Sequence, residues 1–425
     1  MLADQNAADR DRNDPAEPPV PLVVSVRDCG ARGDGVRDDA DAIEAAAALA
    51  GAGGHVFFPK GVYQVGRGLT LPANQTWSGP TMNMDSNGPR TIIRGTGEGP
   101  VITCQAGTLQ SLRIEGPGAR VAGSVGLYVR ASSFTLRDVS VRDVETGVSL
   151  LQVWYGHLDR LACYRVITGV RIEYSYNVVL ANVRVAADDG HGTPGTAVEL
   201  VDRSMVTLLG GAIEAYRVGV VVPDGASLAC FGTYFETKLG AEAVGIKQTG
   251  GARSNVVASG CQVYLTHHHA WIDASEAGAG ETVTATGNKF KGGVAGVTSH
   301  AYYWGGDTAV RMTMAGDSWA DVVGSGPVYA PDEPLPPGSL LAPPHRPGAG
   351  GVVGQPAVQV SSNVVLTGQH MLATGSGRTR PATTDMPIGA MFFDQGLKRP
   401  VWWDGTTWRD AEGHASPPRQ HGLSH

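Results

Sequence analysis

The chain has 425 residues, 59 of them glycine, with 17% charged residues and a formal net charge of −7. That length accommodates one large domain with accessories, the acidic balance argues against a nucleic-acid partner, and no apolar run approaches the ~20 residues of a membrane span. Five cysteines, an odd number without metal-ligand spacing, imply neither a disulfide framework nor a metal site, and nothing calls for a cofactor.

Residues 1–21 are polar, charged and proline-rich and lack the apolar stretch of a secretion signal. They are expected to form a disordered arm or a connector to another body. Residues 22–65 read as a strand, a Gly-Asp-Gly turn at 33–35, and an alanine-rich helix from about Asp38 to Leu49. Asp38 or Asp39 can serve as its N-cap, and glycines 51, 53 and 54 stop it. A second strand, His55–Phe58, meets Pro59 and Gly61 before Tyr63–Val65 continues. The acidic cluster Asp34, Asp38 and Asp39 is explained by the turn and cap, without chemistry.

Residues 66–135 continue as irregular coils, with 80–90 as an excursion. From Leu136 the pattern repeats: LRDVSVRDVETGV, LDRLACYRVITGV from Leu158, LANVRVAADDGHG from Leu180, LGGAIEAYRVGVV from Leu209, CFGTYFETKLGAE from Cys230. Shorter versions follow as SGCQVYLT, TGNKFKGG and AGDSWADV. Val139, Leu161 and Val183 are spaced 22 and 22, and Gly232, Gly260, Gly287 and Gly316 follow at 28, 27 and 29. Such a period, built on short apolar alternations with no helix between them, means one strand-based unit stacked many times. The spacing predicts an all-β fold, a parallel β-helix over 66–326 whose open end the first helix covers.

Counting six residues back from the glycine of the T-G-V and V-G-V segments, read as a turn glycine, aligns Val141, Cys163 and Ile213 as an inward column. By strand pattern Val185, Phe235, Val263, Phe290 and Trp319 join it. The next residue of each coil must point outward: Arg142, Tyr164, Ala186, Glu214, Glu236, Tyr264, Lys291, Ala320. Glu214 and Glu236 lie one coil apart, and adjacent strands are ~4.8 Å apart. Stacked like charges require a cation, a shared proton or a function. The spacing approximates the ~5–5.5 Å of a retaining glycosidase pair, and splayed rotamers open it toward the inverting range. Tyr164, Tyr216, Tyr234 and Tyr264 offer flat faces for sugar rings and, with Arg142, form the expected substrate-binding set. In the bland reading the glutamates belong to a solvated ladder neutralised by Arg217 or Lys238.

Two further clusters are weaker. Asp188, Asp189 and His191 lie in an insertion, AADDGHGTPGT, that could place acid and base at a groove rim; a polar Gly/Pro turn explains the same residues. His267, His268 and His269 alternate faces in a strand, so they do not converge as a zinc site. With Tyr264 and Lys291, however, His267 or His269 would supply the base and cation of a β-elimination.

Residues 327–356 form a Pro/Gly-rich linker. Residues 357–413 form a small β-rich unit for oligomerisation or a tip, and 414–425 a disordered tail. The run IGAMFFDQGLKRPVWWDGTTWRDAEG resembles a short element found at the C-termini of phage tail proteins. Phe392, Phe393, Trp402, Trp403 and Trp408 are expected to pack against the solenoid or neighbouring subunits rather than bind carbohydrate.

The run GARGDGVRDDADAI…GGHVFFPKGVYQV resembles the opening segment of the pectate-lyase-like superfamily, which includes phage tailspikes. The resemblance is specific over residues 22–65 and architectural over 66–320. It implies a right-handed parallel β-helix, commonly a homotrimer, acting on or binding a bacterial polysaccharide, located in a virion tail or outside the cell, with the N-terminus meeting a baseplate or tail. The Asn-Thr-Asp and Asp-Asp pairs of polygalacturonases and the calcium cluster of pectate lyases are missing, so no catalytic position carries over. The expectation is a depolymerase using Glu214 and Glu236. A uronate lyase using Tyr264 with Lys291 or a histidine is the first alternative, and a non-catalytic glycan-binding spike or structural fibre the second.

Overall fold

Period-two alternation puts every second side chain on one side of each strand, and here that side is the inside of a coil. The computed structural model describes residues 23–80, 91–236, 243–251, 253–264, 268–278, 280–291, 300–304, 310–320, 339–341, 359–360, 373–375, 391–394, 398–410 and 413–415. Residues 81–90 of the expected excursion, the whole of the arm at 1–21, the tail beyond residue 415, His267 and Lys238 lie outside them. The coils form a right-handed parallel β-helix with three parallel sheets. In the first, Leu136, Leu158, Leu180 and Leu208 are register partners and fully buried. In the third, Val148, Val170, Val198 and Val220 do the same. No helix among the described residues is long and apolar enough to cross a membrane.

The second sheet carries the inward column expected from the repeats. Val141, Cys163, Val185, Ile213, Phe235, Val263 and Phe290 pair in that order and are buried, and Trp319 follows in backbone register. Burial pushes the Cys163 thiol up to about 12, consistent with an inert core group.

The repeated glycine of the T-G-V segments is not at a turn. Gly147, Gly169 and Gly219 lie inside third-sheet strands. A Cβ at Gly169 would sit 2.3 Å from Val185 Cγ1 and 2.4 Å from the Ala197 carbonyl. The glycine is there for space, between a second-sheet valine and the backbone of the next coil. The corner between the first and second sheets does require a left-handed residue. Gly232, Gly260 and Gly287 occupy it with φ of 63°, 63° and 64°, and Asp138, Arg160 and Asn182 occupy it in earlier coils at 53°, 51° and 52°.

The helix spans Ala40–Ala50 and buries Ala40, Ile43, Ala46, Ala47 and Ala50 against the first coil. Asp39 is the N-cap residue but makes no side-chain capping bond; Asp38, one residue earlier, accepts from the Ala40 amide at 3.0 Å. The Asp39 carboxylate pins the preceding turn, accepting from the Arg32 and Gly33 amides at 2.8 and 2.9 Å. A short strand, Asp34–Asp38, separates that turn from the helix. At the far end Leu340–Leu341, within the segment expected to be a linker, pairs in parallel with Thr313–Met314 and adds another rung. A separate small sheet follows at 373–375, 391–394, 399–403 and 408–409. There the Trp403 and Trp408 rings meet at 5.8 Å and are buried.

Candidate functional site

The outer face of the second sheet carries two columns. One reads Glu115, Arg142, Tyr164, Ala186, Glu214, Glu236, Tyr264, Lys291. The other, displaced by two residues along each strand, reads Arg113, Ser140, Ala162, Arg184, Ala212, Tyr234, Gln262, Lys289. Because the coil repeats without offset, side chains from distant positions in the sequence become neighbours at the strand spacing.

Glu214 and Glu236 are direct register partners. Arg184 Nε lies 3.2 Å from Glu214 Oε2, and its guanidinium also sits over the Tyr164 ring at 5.7 Å. Glu236 Oε2 accepts a hydrogen bond from the Tyr234 hydroxyl at 2.7 Å. Burial, followed by the Glu236 carboxylate, raises the Tyr234 phenol well above its ordinary value, so it stays a donor. The cation beside the pair is thus Arg184 from the preceding coil. Arg217, one of the expected neutralisers, is exposed. Arg184 was hidden from the column count because it belongs to the second outward column.

Toward the C-terminal end the same face sinks into a depression of about 190 Å³ lined by Tyr234, Gln262, Val263, Tyr264, Lys289 and Lys291. Tyr264 and Lys291 are register partners, and Tyr264 is also the partner of Glu236. Tyr234 and Tyr264 therefore stand beside the carboxylates, and Tyr164 two coils before Glu214. Toward the N-terminal end the face is closed by ion pairs: Arg94 with Glu115 at 2.9 Å and Arg113 with Glu115 at 3.7 Å. Arg142 stands between these and Tyr164, with Nε 3.5 Å from Asp143.

Tyr216 does not belong to this face. It is fully buried, edge-on to Phe235 at 6.5 Å. Ala215 takes φ 50° and turns the chain into the third sheet, which inverts the alternation and sends Tyr216 inward. The insertion also departs from an acid–base reading. Asp189 is nearly buried and accepts from the His191 and Thr193 amides at 2.8 and 3.0 Å and from Arg120 Nε at 2.6 Å. Burial alone would raise its carboxyl; these bonds hold it well below the usual range. Asp188 accepts from the Gly190 amide at 2.7 Å. Their oxygens organise the loop, and His191 is left exposed. The His269 ring packs against Tyr303 at 4.7 Å and His300 at 6.0 Å. His269 belongs to a third-sheet strand, so of the expected β-elimination set the second-sheet face brings together Tyr264 and Lys291.

Residues 23–96 match the family described as rhamnogalacturonase A/epimerase, pectate lyase-like. No curated protein matches the chain. Among solved structures, a surface adhesin of Streptococcus pneumoniae aligns over 71% of this chain and 92% of its own at 14% identity, with a TM-score of 0.50. The A-module of a mannuronan C-5 epimerase from Azotobacter vinelandii aligns over 76% and 100% at 18% identity and 0.49. Tailspike protein 2 of an Escherichia coli bacteriophage aligns over 69% and 42% at 14% identity and 0.48. At these identities the likeness is one of fold.

Proposed function

Starting from a pectate-lyase-like parallel β-helix, we propose that this chain is a polysaccharide depolymerase that hydrolyses a bacterial surface glycan in the groove on its second sheet. The observation that carries this is the register pairing of Glu214 with Glu236 on an outward face. Paired carboxylates at about one strand spacing are the working parts of glycoside hydrolysis. Arg184 bonds Glu214, which suits a nucleophile or base, and Glu236, one strand away, takes the acid role, with the Tyr234 hydroxyl fixing its position. Tyr164 and Tyr264 flank the pair as platforms for sugar rings, and Arg142 extends the groove. The family description, which names a rhamnogalacturonase and a pectate lyase, supports a polysaccharide as substrate. The reading includes a homotrimer carried on a virion tail or acting outside the cell.

A second reading is favoured by the depression around Tyr264, Lys289 and Lys291. There a phenol and two cations could bind a uronate and remove its C5 proton. Product analysis on capsular and O-antigen polysaccharides separates the two. New reducing ends without the ultraviolet absorbance of an unsaturated uronate are the expected result. Both signals together would replace the hydrolase with a lyase, and tight binding with neither would leave a spike that only attaches.

A further inference from the structure

The corner between the third and first sheets carries aromatic residues that neither the groove nor the core uses. Two successive coils turn there through the sequences Trp154-Tyr155 and Tyr174-Ser175-Tyr176. Trp154 is 48% exposed, Tyr155 67% and Tyr174 44%. The Trp154 and Tyr176 rings are stacked at 5.1 Å with only 13° between their planes, so one presents a rigid flat surface supported by the other. The corner between the first and second sheets uses Asp, Arg, Asn and Gly instead, so exposed aromatics of this size are not a requirement of turning the coil.

Beside them the corner becomes polar. Tyr174, Asp202, Arg203 and Asp224 border an open depression of about 460 Å³. Backbone register continues the Tyr174 position through Asp202 to Asp224, because Glu173 pairs with Val201 and Glu199 with Val221. Asp202 and Arg203 are exposed and make no ion pair among the described residues, and Asp224 stands 3.9 Å from Arg253. Tyr174 and Asp202 hold left-handed backbone, φ 45° and 53°, which costs energy in a bulky tyrosine and fixes where its ring points.

We infer that this corner is a second, non-catalytic glycan-binding site, separate from the groove, taking a run of uncharged sugar residues along the helix axis. Aromatic faces cover the apolar face of a pyranose, while carboxylate and guanidinium groups at the rim bond its hydroxyls. Acidic and basic residues are balanced here, two of each, which suits a neutral chain rather than a polyanion. One coil rises ~4.8 Å, about one sugar residue, so aromatic and polar positions on successive coils can meet successive sugars. The inference concerns binding alone and does not depend on which reaction the groove performs.

The test is native affinity electrophoresis through gels containing a soluble glucan, a galactan, a mannan or an uncharged bacterial O-antigen. Parent protein and Glu214→Gln should be retarded by at least one of them. The double variant Trp154→Ala/Tyr174→Asn should bind that polysaccharide at least tenfold more weakly while keeping its melting temperature. Asparagine is chosen because it tolerates the left-handed backbone. Equal retardation of the double variant overturns the inference, as does a parent that no gel retards. A double variant that changes oligomeric state on size exclusion would make the patch a subunit contact instead and equally overturn it. Loss of turnover in Glu214→Gln with retardation intact keeps this site distinct from the groove.

Discussion

Glu214 and Glu236, 22 positions apart in the sequence, are direct neighbours across two parallel strands, and Arg184 from the coil before binds the first of them. On an open sheet face an unneutralised pair of this kind would cost stability. Here one partner has a cation and the other a phenol donor, so the carboxylates are held side by side on an outward face.

Glu214→Gln and Glu236→Gln should each lower turnover by about 10²–10⁴, the usual contribution of a general acid or base. Glutamine retains size and hydrogen bonding, so the melting temperature should stay within a degree or two, and polysaccharide binding should persist. The check is steady-state release of reducing ends beside an electrophoretic binding assay. Loss of binding together with turnover would mean that the pair only holds substrate.

Arg184→Ala tests the neutralising role separately. Without the guanidinium, Glu214 loses its hydrogen-bonded cation and two carboxylates share the site with one phenol. Turnover should fall, by less than in either glutamate variant, and Arg184→Lys should recover part of the loss. Arg217→Ala, at the exposed position, should leave turnover unchanged.

How the sequence reached this pair, and where it failed, follows from the geometry of a coil. Inward residues from Val141 to Phe290 could be aligned because strand alternation and a constant period leave no freedom within the second sheet. The glutamates followed from being one step beyond. Tyr216 was misplaced because a single left-handed residue, Ala215, reverses the alternation, and alanine gives no signal that it will adopt that conformation. Arg184 was overlooked for a different reason: it lies on the same face but in the parallel column, and no local pattern links it to Glu214 thirty residues later.

The repeated strand glycines make a prediction about stability. At Gly169 an added Cβ would meet Val185 Cγ1 and the Ala197 carbonyl oxygen at 2.3 and 2.4 Å, and the second contact is backbone, which cannot rotate away. Gly169→Ala should cost about 1–3 kcal/mol or more by overpacking. Gly97→Ala, whose Cβ would have only the Gly66 carbonyl at 3.6 Å, should change stability by less than about 0.5 kcal/mol. Chemical denaturation of the two variants side by side checks this. Equal effects would mean that crowding is not what requires glycine at this strand position.

A pH-dependent contribution sits in the last coils. Asp317 is 2% exposed and accepts from the Asn288 amide at 2.8 Å, the Asn288 side chain at 3.2 Å and the Tyr302 hydroxyl at 2.5 Å. Burial nevertheless raises its carboxyl above the ordinary value, the hydrogen bonds opposing only in part. A carboxyl that holds its proton more tightly in the folded chain contributes stability that is full below the unfolded value. That contribution is lost as pH climbs through the folded one. Asp317→Asn carries no titrating proton and keeps an oxygen for the Asn288 amide. Parent and variant should therefore differ least at acid pH, and the variant should gain in relative melting temperature as pH rises above the ordinary carboxylate range toward neutrality. A difference that stays constant with pH, or one that favours the parent at neutral pH, would mean that the three hydrogen bonds outweigh the burial of the charge.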